Sequence, residues 1–376
     1  MREESRSRSI APSLVPASNN FDALRFWAAL TVLWSHAVPL SYGTEQRELL
    51  FSASGGQSTL GMVAVTFFFV ISGYLITRSF ERSSNAWRFV IARALRIMPA
   101  LLVVLVLVAF VVGPLVTTLP LSQYLHSGAP FDYVSLQATF LHFVDGLPGV
   151  FAHNPQSYVN GSLWTLRYEV ECYVLVFALG VAGLLNRYLT LALYVGALAV
   201  LAVQDQNLVF GGAHGPAMNF HLDFGAKFLA GALVYQWQVP LKGKLALFAL
   251  ALVVPCIFFG QLPMAQRILL PYAVMYLATG MPLRVPSPAR WGDLSYGTYI
   301  YAWPVQQLVV LRSHQPHWLW TAIVSTPIVL LLAWLSWHFV EKGALARKDR
   351  AFPSLGAKSA SQAPATGYRP AARAHQ

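Results

Sequence analysis

The sequence predicts an all-α integral membrane protein of about ten transmembrane helices, with both termini on the cytoplasmic side. Three observations predict it. The chain has 376 residues, of which 56% are hydrophobic and only 11% charged; a soluble domain carries about 25% charged residues. Apolar runs recur at the length a helix needs to span a bilayer, about 17–25 residues. Lys and Arg collect in alternate connections, as the positive-inside rule requires of cytoplasmic loops.

The elements follow in order. Residues 1–20 are polar, rich in Arg, Ser and Pro, and without an apolar period; they read as a disordered cytoplasmic segment. No cleavable signal peptide is evident there. The first run, 22–40, has Asp22 in place to cap it. The second, 61–79, is aromatic and β-branched, and Ser72-Gly73 breaks it with small residues that let helices approach closely. The third, 97–117, follows a stretch with Arg88, Arg93 and Arg96, and the fourth, 164–184, carries Arg167, Glu169 and Glu171. Four more runs occupy 187–203, 222–238, 243–260 and 266–281, the sixth opening on the polar cluster His221, Asp223 and Lys227. The ninth, 295–312, is rich in aromatics, and the tenth, 317–339, closes on HFVEK, whose Glu341 can pair with a loop arginine. The membrane domain is thus 21–342, and 343–376 is a Ser-, Pro- and Ala-rich tail read as disordered.

Loop charge supports the count. With the N-terminus inside, the outer loops carry only Arg47, Arg267 and Arg312, and the loops 118–161 and 204–221 have no Lys or Arg at all. A missed or extra span would invert every later loop. The net charge of +11 therefore reads as topology signal rather than a nucleic-acid surface. Cys172 and Cys256 both lie in apolar runs and read as small core residues, with no disulfide and no metal site. No internal repeat is visible, which argues against a transporter of two symmetric halves.

The chemistry-bearing residues are few. Arg25 and His36 are eleven residues apart, a spacing that returns to within about 20° of the same helix face and rises about 16 Å. Ionisable groups inside such helices are costly and face a protein interior or a water-filled cavity. An imidazole there can take a proton from a hydroxyl near neutral pH; a core histidine bonded to a neighbouring helix is the competing reading. Ser72 reads as packing rather than as a nucleophile, since no base or nucleophile-elbow pattern accompanies it. Arg93 and Arg96, three apart, project from one face at the cytoplasmic mouth, suited to phosphates or to simple interfacial anchoring. Glu169 and Glu171 point about 200° apart, so one faces the interior while the other meets Arg167 at i, i+4. Tyr296, Tyr299 and Trp303 share a face, as the wall of a substrate cavity or as an interfacial aromatic belt.

In order and spacing, FDALRFWAALTVLWSHA, FFFVISGYLITR, RALRIMPA, SLWTLRYEVECY, FLAGAL, LSYGTYIYAWP and FVEK resemble the membrane acyltransferase-3 family, over about residues 20–342. The resemblance implies an enzyme that moves an acyl group, commonly acetyl, from cytoplasmic acyl-CoA to a hydroxyl of a surface or lipid-linked glycan. It implies a bacterial inner-membrane location and no permanently bound cofactor. By the same resemblance His36 and Arg25 match the essential histidine and arginine. Arg93 and Arg96 match the arginines associated with acyl-CoA, and Glu169 the acid of the W-[ST]-L-x-x-E motif. Trp164, Tyr296, Tyr299 and Trp303 are the candidate substrate-binding aromatics. Ala302 departs from the pattern by standing where the family has a histidine, and Gly343 replaces the usual proline. Whether His36 acts as a base, oriented by Glu169, or as an acyl carrier is open. Two other functions compete: a glycan or lipid-carrier transporter without acyl chemistry, and an acyltransferase for a non-glycan small molecule.

Overall fold

The computed structural model describes residues 19–83, 85–210 and 219–351. The regular structure of the described residues is all helical, with no strand. Ten long helices among them follow the ten apolar runs. They are α1 (Phe21–Tyr42), α2 (Leu60–Glu81), α3 (Ala86–Leu107), α4 (Leu166–Val181) and α5 (Arg187–Phe210). The second half gives α6 (Phe220–Gln236), α7 (Gly243–Phe258), α8 (Leu262–Met275), α9 (Ser295–Leu311) and α10 (Trp318–Ser336). Four helical stretches are long and apolar enough to cross a membrane: Leu60–Glu81, Ala86–Val116, Arg187–Asp205 and Trp318–Arg347. Residues 1–18 and 352–376, most of the predicted disordered ends, lie outside the described residues; Lys342–Ala351 continues helically after α10.

The cap of α1 and the starts of α3 and α8 differ from the sequence reading, each for a local reason. Asp22 sits in the first turn of α1 and does not cap it; Asn20 holds the cap position. The Asn20 amide instead donates to the Leu277 and Leu283 carbonyls at 3.0 Å each, tying the start of α1 to the segment after α8. Helix α3 starts at Ala86, well before 97, because the Asn85 side chain accepts from the Trp87 amide at 2.8 Å and Pro99 is accommodated inside the helix. Helix α8 starts at Leu262 rather than 266, with Pro263 in its first turn, where a missing amide costs nothing.

Helix α1 lies at the centre, against α2, α9 and α10, while α6 packs on both α2 and α5. The α2–α6 contact explains two small residues. A Cβ on Gly73 would stand 1.8 Å from the Phe228 carbonyl oxygen, and one on Gly231 1.9 Å from that of Val70. The backbones touch, which only glycine permits. Long connections fold over one end of the bundle. Segment 118–161 forms two short helices, Leu121–His126 and Ala129–Thr139, anchored where the buried Tyr124 hydroxyl donates to the Ala109 carbonyl at 2.8 Å. The short helix Leu49–Ala53 is pinned by buried Glu48. Its carboxylate accepts from the amides of Phe51 at 2.9 Å and Leu60 at 3.0 Å, and from the Ser35 hydroxyl at 3.3 Å.

Candidate active site

Helix α1 carries Arg25 to one end of the bundle and His36 toward the other, as their spacing predicts. At the Arg25 end the charges are linked. Asp293, in the turn before α9, lies 3.6 Å from the Arg25 guanidinium and 2.5 Å from that of Arg96. Arg96 also reaches Glu341 at 3.4 Å, and Glu341 accepts from Ser336 at 3.0 Å. Burial alone would raise the Asp293 carboxyl. The Arg96 and Arg25 guanidinium groups, with hydrogen bonds from the Ser295 hydroxyl and amide, bring it down to about 2. The pairing of Glu341 with an arginine is as expected, but Arg93 and Arg96 are not equivalent. Arg96 is engaged by two carboxylates. Arg93 lines an apolar cavity between α3 and α4, with its Nε buried and without a hydrogen-bond partner among the described residues.

A small chamber of about 40 Å³ runs inward from this network, bounded by Arg25, Glu169, Tyr296, Tyr299 and Thr165. Glu169 makes no hydrogen bond to His36 among the described residues. It accepts hydrogen bonds from the Tyr173 hydroxyl at 2.5 Å and the Ser72 hydroxyl at 3.2 Å, on the Arg25 side. The sequence raises it as a residue orienting His36. One turn of helix below Thr165 is enough to move it into the Arg25 chamber. Glu171 faces away, as the 200° argument requires. Arg167 donates to it at 2.9 Å, and it pairs with His221 at 2.7 Å.

His36 lies in a second chamber of about 70 Å³ with Ser35, Thr59, Trp164, Thr165 and Tyr299. The two chambers meet at Thr165 and Tyr299, whose hydroxyls are hydrogen-bonded to each other. His36 Nδ1 is buried with no hydrogen-bond partner among the described residues. Its ring is held by the edge of Trp303, centroids 4.9 Å apart and planes at 75°. Trp303 is fixed in turn, its indole donating to the Tyr158 carbonyl at 2.8 Å. It presses so closely on Gly161 that a Cβ there would meet its ring at 2.7 Å. Trp303 thus seats His36, whereas Tyr296, Tyr299 and Trp164 line the cavities. The Tyr296 hydroxyl donates to the Ile97 carbonyl at 3.0 Å, joining α9 to α3. Ala302 is buried in the α9 core.

Asp293 and Glu48 were not singled out from sequence. The signal for Asp293 was an acidic residue two before Ser295 at a helix start, a common side-chain turn. Nothing in the sequence marked its two arginine partners.

A half-buried Arg and a His whose Nδ1 has no hydrogen-bond partner among the described residues, on one helix and in adjoining chambers, define a site suited to group transfer. Comparison with known proteins identifies the class: residues 18–338 match the acyltransferase-3 family, described as an acyltransferase domain, and the chain belongs to it. The chain is 32% identical over 347 residues to an O-acetyl transferase of Shigella phage Sf6, covering 88% of this chain and 97% of that one. It is 30% identical to nodulation protein 10 of Rhizobium leguminosarum bv. viciae, over 87% of this chain and 93% of that one. It is 27% identical to the peptidoglycan O-acetyltransferase OatA of Listeria monocytogenes, over 89% of this chain but 56% of that one. No solved structure matches.

Proposed function

We propose that this acyltransferase moves an acetyl group from cytoplasmic acyl-CoA to a hydroxyl of a surface or lipid-linked glycan, across the inner membrane of a bacterium. In this reading all ten long helices span and both termini are cytoplasmic. The observation that carries it is the pair of chambers joined at Thr165 and Tyr299, with Arg25 in one and His36 in the other. CoA phosphates would lose their hydration inside a bilayer, so the nucleotide stays at the cytoplasmic mouth. Arg93, whose Nε has no hydrogen-bond partner among the described residues, is a cation with capacity for them; Arg96 is held by Asp293 and Glu341. The pantetheine arm passes Arg25 and covers the roughly 16 Å to His36.

With Nδ1 enclosed, Nε2 is the His36 nitrogen left for a substrate. It takes the proton of the acceptor hydroxyl as that oxygen bonds to the thioester carbonyl carbon. The C–S bond breaks, and the departing CoA thiolate takes the proton back from the imidazolium. If the acyl group instead rests on His36 between donor and acceptor, mass analysis of acid-quenched protein after acetyl-CoA addition finds an acetylated His36 peptide. The function is tested on glycans from cells with and without the gene. A mass increase of one acetyl group with the wild type, absent with His36→Ala, is the expected result. Glycan of unchanged mass with the gene present overturns it.

A further inference from the structure

A third chamber opens off the His36 chamber and has no part in the chemistry above. It measures about 210 Å³ and shares Glu45, Thr59, Met62 and Trp164 with the His36 chamber. Phe51 and Phe220 line it as well, and the Trp164 and Phe220 rings meet edge to face at 4.8 Å and 77°. Its floor is Lys227, only 2% exposed. The Lys227 ammonium donates to Asp223 at 2.7 Å and makes no other hydrogen bond among the described residues. An ammonium has three donors, so Lys227 has donors to offer a ligand oxygen.

The charges beneath the floor balance. Arg267 is fully buried; its Nε donates to Asp223 at 2.7 Å and its Nη1 pairs with Asp205. Two cations meet two carboxylates, which offsets the cost of burying them. A ligand carboxylate would add an uncompensated charge to this neutral cluster, close to Glu45 at the rim. A ligand hydroxyl adds none. The aromatic faces suit an apolar ring face, and the cavity is smaller than the roughly 300–1,000 Å³ of drug-sized sites, which fits one sugar ring.

We propose that this third chamber is the acceptor subsite and takes one uncharged pyranose ring. The ring lies against Trp164 and Phe220, a hydroxyl oxygen accepts from Lys227 Nζ, and the hydroxyl to be acylated points past Trp164 toward His36. This rests on the acyl-transfer reading, and its test separates the two.

The test uses the full-length protein in lipid nanodiscs, with Cys256→Ser and with Met62→Cys at the wall shared by both chambers. Maleimide labelling of the new cysteine is timed with methyl hexopyranosides or with a methyl hexuronoside. Neutral glycosides are expected to slow labelling about tenfold, a 1.4 kcal/mol effect, and the uronoside to have little effect. Phe220→Ala and Lys227→Met should each abolish the protection. Phe220→Ala leaves the ion pairs intact, so it decides the matter if Lys227→Met fails to fold. No protection by neutral glycosides, equal protection by the uronoside, or protection that survives Phe220→Ala overturns the subsite. Labelling needs no acyl-CoA. Protection without acetyl-CoA consumption would therefore defeat the acyl-transfer reading and leave the sugar site standing.

Discussion

Arg25, Asp293, Arg96 and Glu341 form a chain of ion pairs at one end of α1, while toward the other end the His36 ring has an aromatic neighbour and, among the described residues, no hydrogen bond to Nδ1. The contrast follows from what each end must do. Guanidinium groups cannot lose their charge, so a partly buried pair of them needs a fixed counter-charge whether or not substrate is bound. A permanent carboxylate partner would favour the charged imidazolium, and without one His36 is held in its neutral, proton-accepting form. The first end is built to hold charge still. The second leaves one group free to change.

The contrast breaks first at His36. In purified protein, His36→Ala should lower acetyl transfer from radiolabelled acetyl-CoA by about 10²–10⁴-fold, the usual contribution of a general base. Binding of CoA, read by calorimetry, should stay near the wild-type value because Arg25, Arg93 and Arg96 are untouched. A variant retaining full transfer would remove both versions of the mechanism.

Asp293→Asn attacks the other end. It leaves Arg25 and Arg96 without their shared carboxylate and should destabilise the protein by about 2 kcal/mol, a figure reduced for partial exposure. The KM for acetyl-CoA should change with it, because Arg25 and Arg96 lose their common anchor. A rate defect with KM unchanged would show that this network does not position the donor.

A smaller effect is expected at Trp303→Phe. The ring still meets His36, but the hydrogen bond to the Tyr158 carbonyl is lost, at a net cost of about 1 kcal/mol. A severalfold fall in kcat with KM for acetyl-CoA unchanged would identify Trp303 as a positioning residue for His36. An equal loss in both would point to a general loosening of α9.

What the sequence disclosed differs between the two ends for the same physical reason. Helical period alone placed Arg25 and His36 on one stripe, paired Arg167 with Glu171, and put Glu169 on the opposite face. Those relations lie within one helix, where 3.6 residues per turn fixes them. Relations between helices were hidden. Asp293 meets Arg25 and Arg96 across gaps of more than 190 residues, and no local pattern encodes such a meeting. Trp303 was legible as part of an aromatic face, but its task of seating His36 depends on Gly161 and Tyr158 from a different segment. Glu169 was misplaced because the depth at which α4 enters, set by the turn Gly161–Thr165, is a tertiary fact.

A pH series of melting curves tests whether the Arg25 end is held by charge. The Asp293 carboxyl is depressed from 3.8 to about 2 by its two arginines. A carboxyl whose folded value lies below its unfolded one stabilises the fold fully above the unfolded value. That contribution is lost as pH falls through the folded one. The window is therefore about pH 4 down to about pH 2, and nothing should change between pH 7 and 5 on this account. Melting curves of the wild type and Asp293→Asn at matched pH should lie farthest apart above pH 4 and converge as pH falls through the window. Curves with a constant offset down to pH 2 would mean that Asp293 acts through its hydrogen bonds to Ser295, which asparagine can partly keep, and not as the counter-charge of Arg25 and Arg96.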